Sequence, residues 1–247
     1  MDNAIYTALG GANAALNRQA IISNNLANTT TDGFRAQMSA YRAVPVEGPG
    51  MATRTLAVES TPGFDSQQGK LYSTGRPLDV ALSQQGWLSI ELPDGTEAYT
   101  RDGNIQVDNE GQLRVRGRPL LGESGPLSVP PQSALTIAPD GTITALGSGD
   151  KPSEISEIGR IKLINVPGSM LVHGDDGLFH SRDNPLQPLP HNPNVRLIPE
   201  MLESSNVSPV KSMIAMISVG REFDMHMKII STVDNNEKRA NQLLSAG

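Results

Sequence analysis

The 247 residues contain no cysteine. Disulfide bridges, thiolate metal sites and a cysteine nucleophile are excluded together. Aromatic side chains are scarce, with one Trp, four Tyr and four Phe, too few for the stacking platforms that bases require. Positive charge is also short: 20 Lys and Arg are scattered against 26 Asp and Glu, for a formal charge of −6. No basic face is available for nucleic acid, so none is expected as a partner. No apolar run reaches the length of a membrane span, and no membrane insertion is expected. The opening MDNAIYTALGGANAAL lacks the basic region, apolar core and cleavage site of a secretory signal. Read alone this indicates the cytoplasm, although an export route that leaves the sequence uncleaved would look the same.

What is present begins with two amphipathic ends. Ile5, Ala8, Leu9, Ala12, Ala15, Leu16, Ile22 and Leu26 recur at steps of three and four, as do Val210, Met213, Ile214, Ile217, Phe223, Met227, Ile230, Val233, Ala240 and Leu244. Such spacing lines one side of a helix with groups that need a partner. A first helix is predicted over 3–27, capped by Asp2 or Asn3 and stopped by Asn28–Gly33, where Gly33 suits a positive φ. Its length is roughly 38 Å from the rise per residue. Rich in alanine, it is marginal alone in water and is expected to order on packing. A second helix starts at Ser208-Pro209, serine as cap and proline at the first helical position. Over 209–244 it runs roughly 54 Å, longer than a compact globule needs. Each stripe points to the opposite terminus, or to the same segments of neighbouring molecules.

The middle of the chain reads as β. Leu78–Leu82, Trp87–Leu92, Ile105–Val107, Leu113–Val115, Leu135–Ile137, Thr142–Ala145 and Ile161–Val166 alternate or cluster strand formers. Turn signals separate them, among them Pro93-Asp94-Gly95, Asn109-Glu110-Gly111, Pro139-Asp140-Gly141 and Asp175-Asp176-Gly177. Between helix and body, Thr53–Val58 suggests a strand and Pro45–Gly50 a loop. The proline-rich 183–200 reads as an extended return path.

Chemistry finds little support. His173, Asp175, Asp176 and His180 form the one cluster of metal-ligand types, but Gly174 and Gly177 favour a solvated hairpin turn over a binding site. His226 lies beside the apolar stripe among Met225 and Met227, which suits a helix flank better than catalysis. No nucleophile–base arrangement or phosphate-cradling glycine pattern is present. No enzyme activity, cofactor or metal is expected. The methionines of the C-terminal stripe suit an uneven interface.

Asn24-Asn25-Leu26-Ala27-Asn28-Thr29-Thr30-Thr31-Asp32-Gly33-Phe34-Arg35 closely resembles the N-terminal motif of the flagellar basal-body rod, hook and hook-associated proteins. Leu202-Glu203-Ser204-Ser205-Asn206-Val207-Ser208-Pro209-Val210 resembles that family's return segment. Leu78–Leu82 with Gly86-Trp87-Leu88, and Tyr99-Thr100-Arg101-Asp102-Gly103, resemble the central domain of the rod and hook subset. The likeness covers nearly the whole chain. It implies export unfolded through the flagellar type III apparatus, without a cleaved signal, and polymerisation in the periplasm into the axial drive shaft. Implied partners are further copies of the chain, the rod proteins FlgB, FlgC and FlgG, and the export apparatus.

The expected architecture is a mainly β central domain, an antiparallel sandwich or barrel, with long terminal helices packed as a coiled-coil-like pair. Expected segments are the N-terminal helix in 1–33, an extended connector in 34–75, a β-rich outer domain in 76–200, and the return segment with its helix in 201–247. The expected function is a structural subunit of the basal-body rod. The proximal rod is the first reading and the distal rod the second, with a monomeric binding module on a helical stalk third. The expected assembly interface is Ile5, Ala8, Leu9, Ala12, Leu16, Ile22, Asn25, Leu26, Asn28, Met213, Ile217, Phe223, Met227, Ile230 and Leu244.

Overall fold

The computed structural model describes residues 2–45, 55–83, 85–147, 155–174, 176–182, 184 and 186–245, with side chains described for these except 2, 3, 55–62, 244 and 245. The loop expected after Pro45, the start of the strand expected at Thr53, and Asp175 lie outside the described residues, as do the side chains of the expected caps Asp2 and Asn3. The chain divides into two compact units. One comprises Met1–Ala27, Gln37–Gly63 and Ser208–Gly247, and the other Asn28–Ala36 and Phe64–Val207.

The first unit is built on two helices, α1 (Asp2–Ala27) and α2 (Pro209–Ser245), with a paired two-stranded sheet of β1 (Gln37–Pro45) and β2 (Thr55–Phe64). The helices pack on each other in antiparallel sense. Arg18 lies against Glu222, while Gly11, earlier in α1, lies against His226, later in α2. Ala8, Ala12 and Ala15 are buried at the seam, with Val219 from α2. Among the less exposed positions of α2, Met216, Val219, Phe223, His226, Ile230 and Val233 alternate steps of three and four, the spacing of a coiled-coil seam. Small residues on α1 let the backbones approach. The terminal stripes thus find each other within one chain. β1 is fastened along α1, since the Tyr41 hydroxyl donates to the Ala14 carbonyl at 2.9 Å and the Arg18 guanidinium lies 5.4 Å from the Tyr41 ring centre.

The second unit is antiparallel β. Its largest sheet has five strands in the order Leu163–Asn165, Gly86–Glu91, Glu97–Thr100, Phe179–Ser181 and Leu171–His173. Alternate residues of these strands serve two cores. Leu88, Ile90, Ala98 and Leu163 join the larger one with Val80, Ile105, Leu113 and Ile143. Trp87, Tyr99, Ile164 and Phe179 join an aromatic one that includes Phe64. Because side chains alternate across a strand, a sheet covered on both faces carries near-continuous apolar runs. Two three-stranded sheets and three two-stranded pairs complete the described part of the unit, and none of its sheets closes into a barrel.

The turns follow from their sequence. Leu92 donates to the Thr96 carbonyl and Gly95 donates back to Leu92; Ala138, Gly141 and Thr142 repeat the pattern. Gly95 and Gly141 adopt φ of 80° and 87°, which glycine allows without steric cost. Asp94 and Asp140 accept the backbone N–H of Thr96 and Thr142 two residues on. The two Pro-Asp-Gly-Thr segments are therefore the same hairpin chemistry used twice. Leu171–His173 and Phe179–Ser181 form the hairpin expected around Asp176, with His180 Nε2 at 3.2 Å from both Asp176 carboxylate oxygens.

Candidate assembly surface

α2 carries apolar groups on two sides. One side faces α1. On the other, Ile214, Ile217, Met225 and Ile229 stand in water, Ile214 65% and Ile217 59% exposed. Two shallow grooves run along this side and share Met225. The first lies among Ile214, Ile217, Ser218 and Arg221, and the second among Lys228, Ile229 and Thr232, bounded by Val233 at the edge of the inner seam. Ile214, Ser218, Arg221, Met225, Lys228 and Thr232 follow steps of four and three, so the outer row repeats with the period of the inner seam. In that outer row Ile214 and Met225 stand among Ser218, Arg221, Lys228 and Thr232, with Ile217 and Ile229 beside it.

The expected interface residues divide accordingly. Ala8 and Ala12 are buried between α1 and α2, and Ile5, Ile22, Leu26, Phe223 and Ile230 are half-buried. Leu9, Leu16, Met213, Ile217 and Met227 are exposed. Asn25 is buried, with both ends of its amide used by Gln37: Nδ2 donates to the Gln37 carbonyl and Oδ1 accepts the Gln37 N–H, at 2.9 and 2.8 Å. Asn28 caps a turn, its Oδ1 accepting from the Thr31 hydroxyl at 3.1 Å. The Leu244 side chain lies outside the described residues.

Sequence reasoning did not single out a second feature, a buried charge cluster in the β unit. Glu203 is fully buried and pairs with Arg35 through one carboxylate oxygen and with Arg101 through the other, at 2.7 Å for the latter. Gly69 N–H donates to the same carboxylate at 2.9 Å, and Arg101 also donates to the carbonyls of Gly86 and Leu82. Burial pushes the Arg101 guanidinium down from its ordinary value, opposed by Glu203. Its guanidinium sits 5.7 Å from the Trp87 ring centre. Nearby, the Tyr72 hydroxyl donates to Asp32 at 2.8 Å, and its pKa is pushed up to about 12 by burial and by that carboxylate. Arg35, Arg101 and Glu203 come from the three motifs that carry the family resemblance. The only sequence signal for their convergence was the presence of a charge in each.

Three family models match the chain: the flagella basal body rod protein over residues 5–35, the flagellar hook protein FlgE/F/G D1 domain over 81–145, and the flagellar basal body rod FlgEFG protein C-terminal over 198–243. The chain is similar to the flagellar basal-body rod protein FlgF of Salmonella typhimurium LT2, 52% identical over 99% of each chain. It is 51% identical to FlgF of Escherichia coli K12, again over 99% of each. The chain belongs to the flagellar basal-body rod protein family. It is a structural rod subunit, and it is FlgF-like. FlgG of Buchnera aphidicola from Acyrthosiphon pisum is 30% identical over 90% of this chain and 92% of that one.

Proposed function

We propose that this rod subunit belongs to the proximal rod and polymerises through α1 and α2 into the hollow axial shaft, where it transmits torque and surrounds the export channel. The supporting observation is the doubly apolar α2. Pairing with α1 leaves Ile214, Ile217, Met225 and Ile229 uncovered, and a helix of a neighbouring subunit is the natural cover for apolar groups on that side. A contact joining the outer side of α2 to a different surface of the next subunit is heterologous. Repeated without closure, it generates a helical array. The subunits on either side are further copies of the chain or the rod proteins FlgB, FlgC and FlgG. The chain reaches the periplasm through the flagellar type III apparatus without a cleaved signal, and its role is mechanical, with no enzymatic activity.

The absence of cysteine makes the test clean. Ile217→Cys, treated with a short bismaleimide in intact basal bodies carrying single cysteines on neighbouring rod proteins, should give covalent pairs. The same substitution in the β unit, at exposed Glu110, should give none. Absence of any Ile217 product across the set of rod partners would contradict the reading.

A further inference from the structure

The segment Asn28–Ala36 belongs to the β unit, and it docks on the last residues of that unit. Gly33 N–H donates to the Glu203 carbonyl at 2.6 Å, and Asn206 N–H donates to the Phe34 carbonyl. Ala36 N–H donates to Asn206 Oδ1 at 2.7 Å. Gly33 has a φ of 68°, and a Cβ there would fall 2.3 Å from the Arg101 carbonyl carbon. Phe34 and Arg35 are both buried. The return residues are in turn laid on the body of the unit. Met201–Glu203 pairs with Leu71–Ser73, and Ser204 N–H donates to the Lys70 carbonyl at 2.9 Å. Among the described residues, the two apolar cores draw on positions 64 to 197 and on neither end segment.

Charge makes the two docking events unequal. Arg101 belongs to the body, where it donates to the Gly86 and Leu82 carbonyls. Glu203 brings it a counter-charge, whereas Arg35 brings a second positive charge to the same buried place. Without the carboxylate between them, Arg35 would enter beside a like charge, at far greater cost than at the surface. We propose that Glu203 is a charge gate: residues 28–36 dock only on a β unit whose return segment, 200–206, is already in place. Glu203 and Arg101 alone form a balanced pair, supported by the Gly69 N–H, so the return segment docks without Arg35. The coupling between the segments is reciprocal, as any linkage is, but the order is not symmetric. Phe34 and Arg35 therefore stay out until the C-terminal side of the unit is present. The gate acts within a single chain and needs no neighbouring subunit.

Hydrogen exchange in the purified full-length chain reads the gate at Gly33 and Ala36, whose N–H groups bond to Glu203 and Asn206. Glu203→Gln should speed exchange at both about a hundredfold or more, because it removes one side of a buried ion pair. Leu113 and Ile161, whose N–H groups bond to the Leu127 and Gly141 carbonyls within the body, should keep their protection. Arg35→Met should leave Ser204 protected, because the Glu203–Arg101 pair survives. The deciding variant combines Arg35→Met with Glu203→Gln. With the second positive charge gone, protection at Gly33 and Ala36 should recover about tenfold over Glu203→Gln alone, since an apolar side chain replaces a buried charge with little loss. No recovery in the double variant overturns the gate, because lost contacts and not repulsion would then explain the single one. Loss of protection at Leu113 and Ile161 in step with Gly33 overturns it as well. So does opening at Ser204 in Arg35→Met.

Discussion

The imidazole of His226 fills the space that any side chain at position 11 would need: a Cβ built on Gly11 falls 2.6 Å from Nε2. The α1–α2 seam is therefore set by a glycine–histidine pair at its middle, flanked by Ala8, Ala12 and Ala15. Gly11→Ala should destabilise the helical unit by about 1–3 kcal/mol, the usual cost of overpacking. His226→Ala in the same chain should return most of that loss. A double-mutant cycle on helical circular dichroism in urea reads the coupling, and additive losses would show that the two residues do not share the space.

Glu203 holds two arginines at a fully buried site. Glu203→Gln leaves Arg35 and Arg101, each only 2% exposed as a side chain, without their counter-charge. Breaking a buried pair from one side costs about 3–5 kcal/mol. Trp87 is the only tryptophan and lies beside Arg101, so its fluorescence reports urea unfolding of this unit directly. A midpoint within error of the parent would show that the cluster contributes no stability.

Burial holds the His173 imidazole below its ordinary value of 6.5, packed edge-on to Phe34 and Phe179. The unfolded chain takes up a proton as pH falls through 6.5, and the folded chain resists doing so. Stability from this residue is therefore complete above that pH and declines below it. Between pH 7.5 and 5.5 the Trp87 unfolding midpoint should fall, and His173→Phe should flatten the slope. A midpoint equally sensitive in the variant would assign the effect elsewhere.

Gly220 interrupts the composition of α2 but not its course, and a Cβ there meets open space. Gly220→Ala should stabilise the helix by about 0.5–1 kcal/mol, seen as a higher thermal midpoint in helical circular dichroism. A lower midpoint would mean that the glycine relieves a strain absent from the geometry.

Legibility followed chemistry that is local. Both helices and the Asp-Gly hairpins stood out because caps, periodic stripes and turn residues act within a few positions. Glu97–Thr100 did not: it sits at the centre of the five-stranded sheet, and Ala98 and Tyr99 are buried on opposite faces, so no alternation marks it. Phe179–Ser181 is too short to carry a pattern. Gln37–Pro45 is fixed by Asn25 and Tyr41 bonding to and from α1, partners that propensity does not reveal. Arg35 and Arg101 carry no local signal of burial, because the partner that neutralises them, Glu203, lies far along the chain. The stripe of α2 was visible as one face, whereas the structure divides it: Phe223 and Ile230 turn toward α1, and Ile214 and Ile217 turn away.

The central claim is that the outer side of α2 is finished only by a neighbouring subunit, and Ile217→Asp tests it most directly. In the free chain the site is 59% exposed, so thermal melting of the purified variant should match the parent within about 0.5 kcal/mol. In the assembled rod the same carboxylate would be buried without a partner, and no basal bodies should be recovered. Normal basal bodies and full motility in an Ile217→Asp strain would contradict the account.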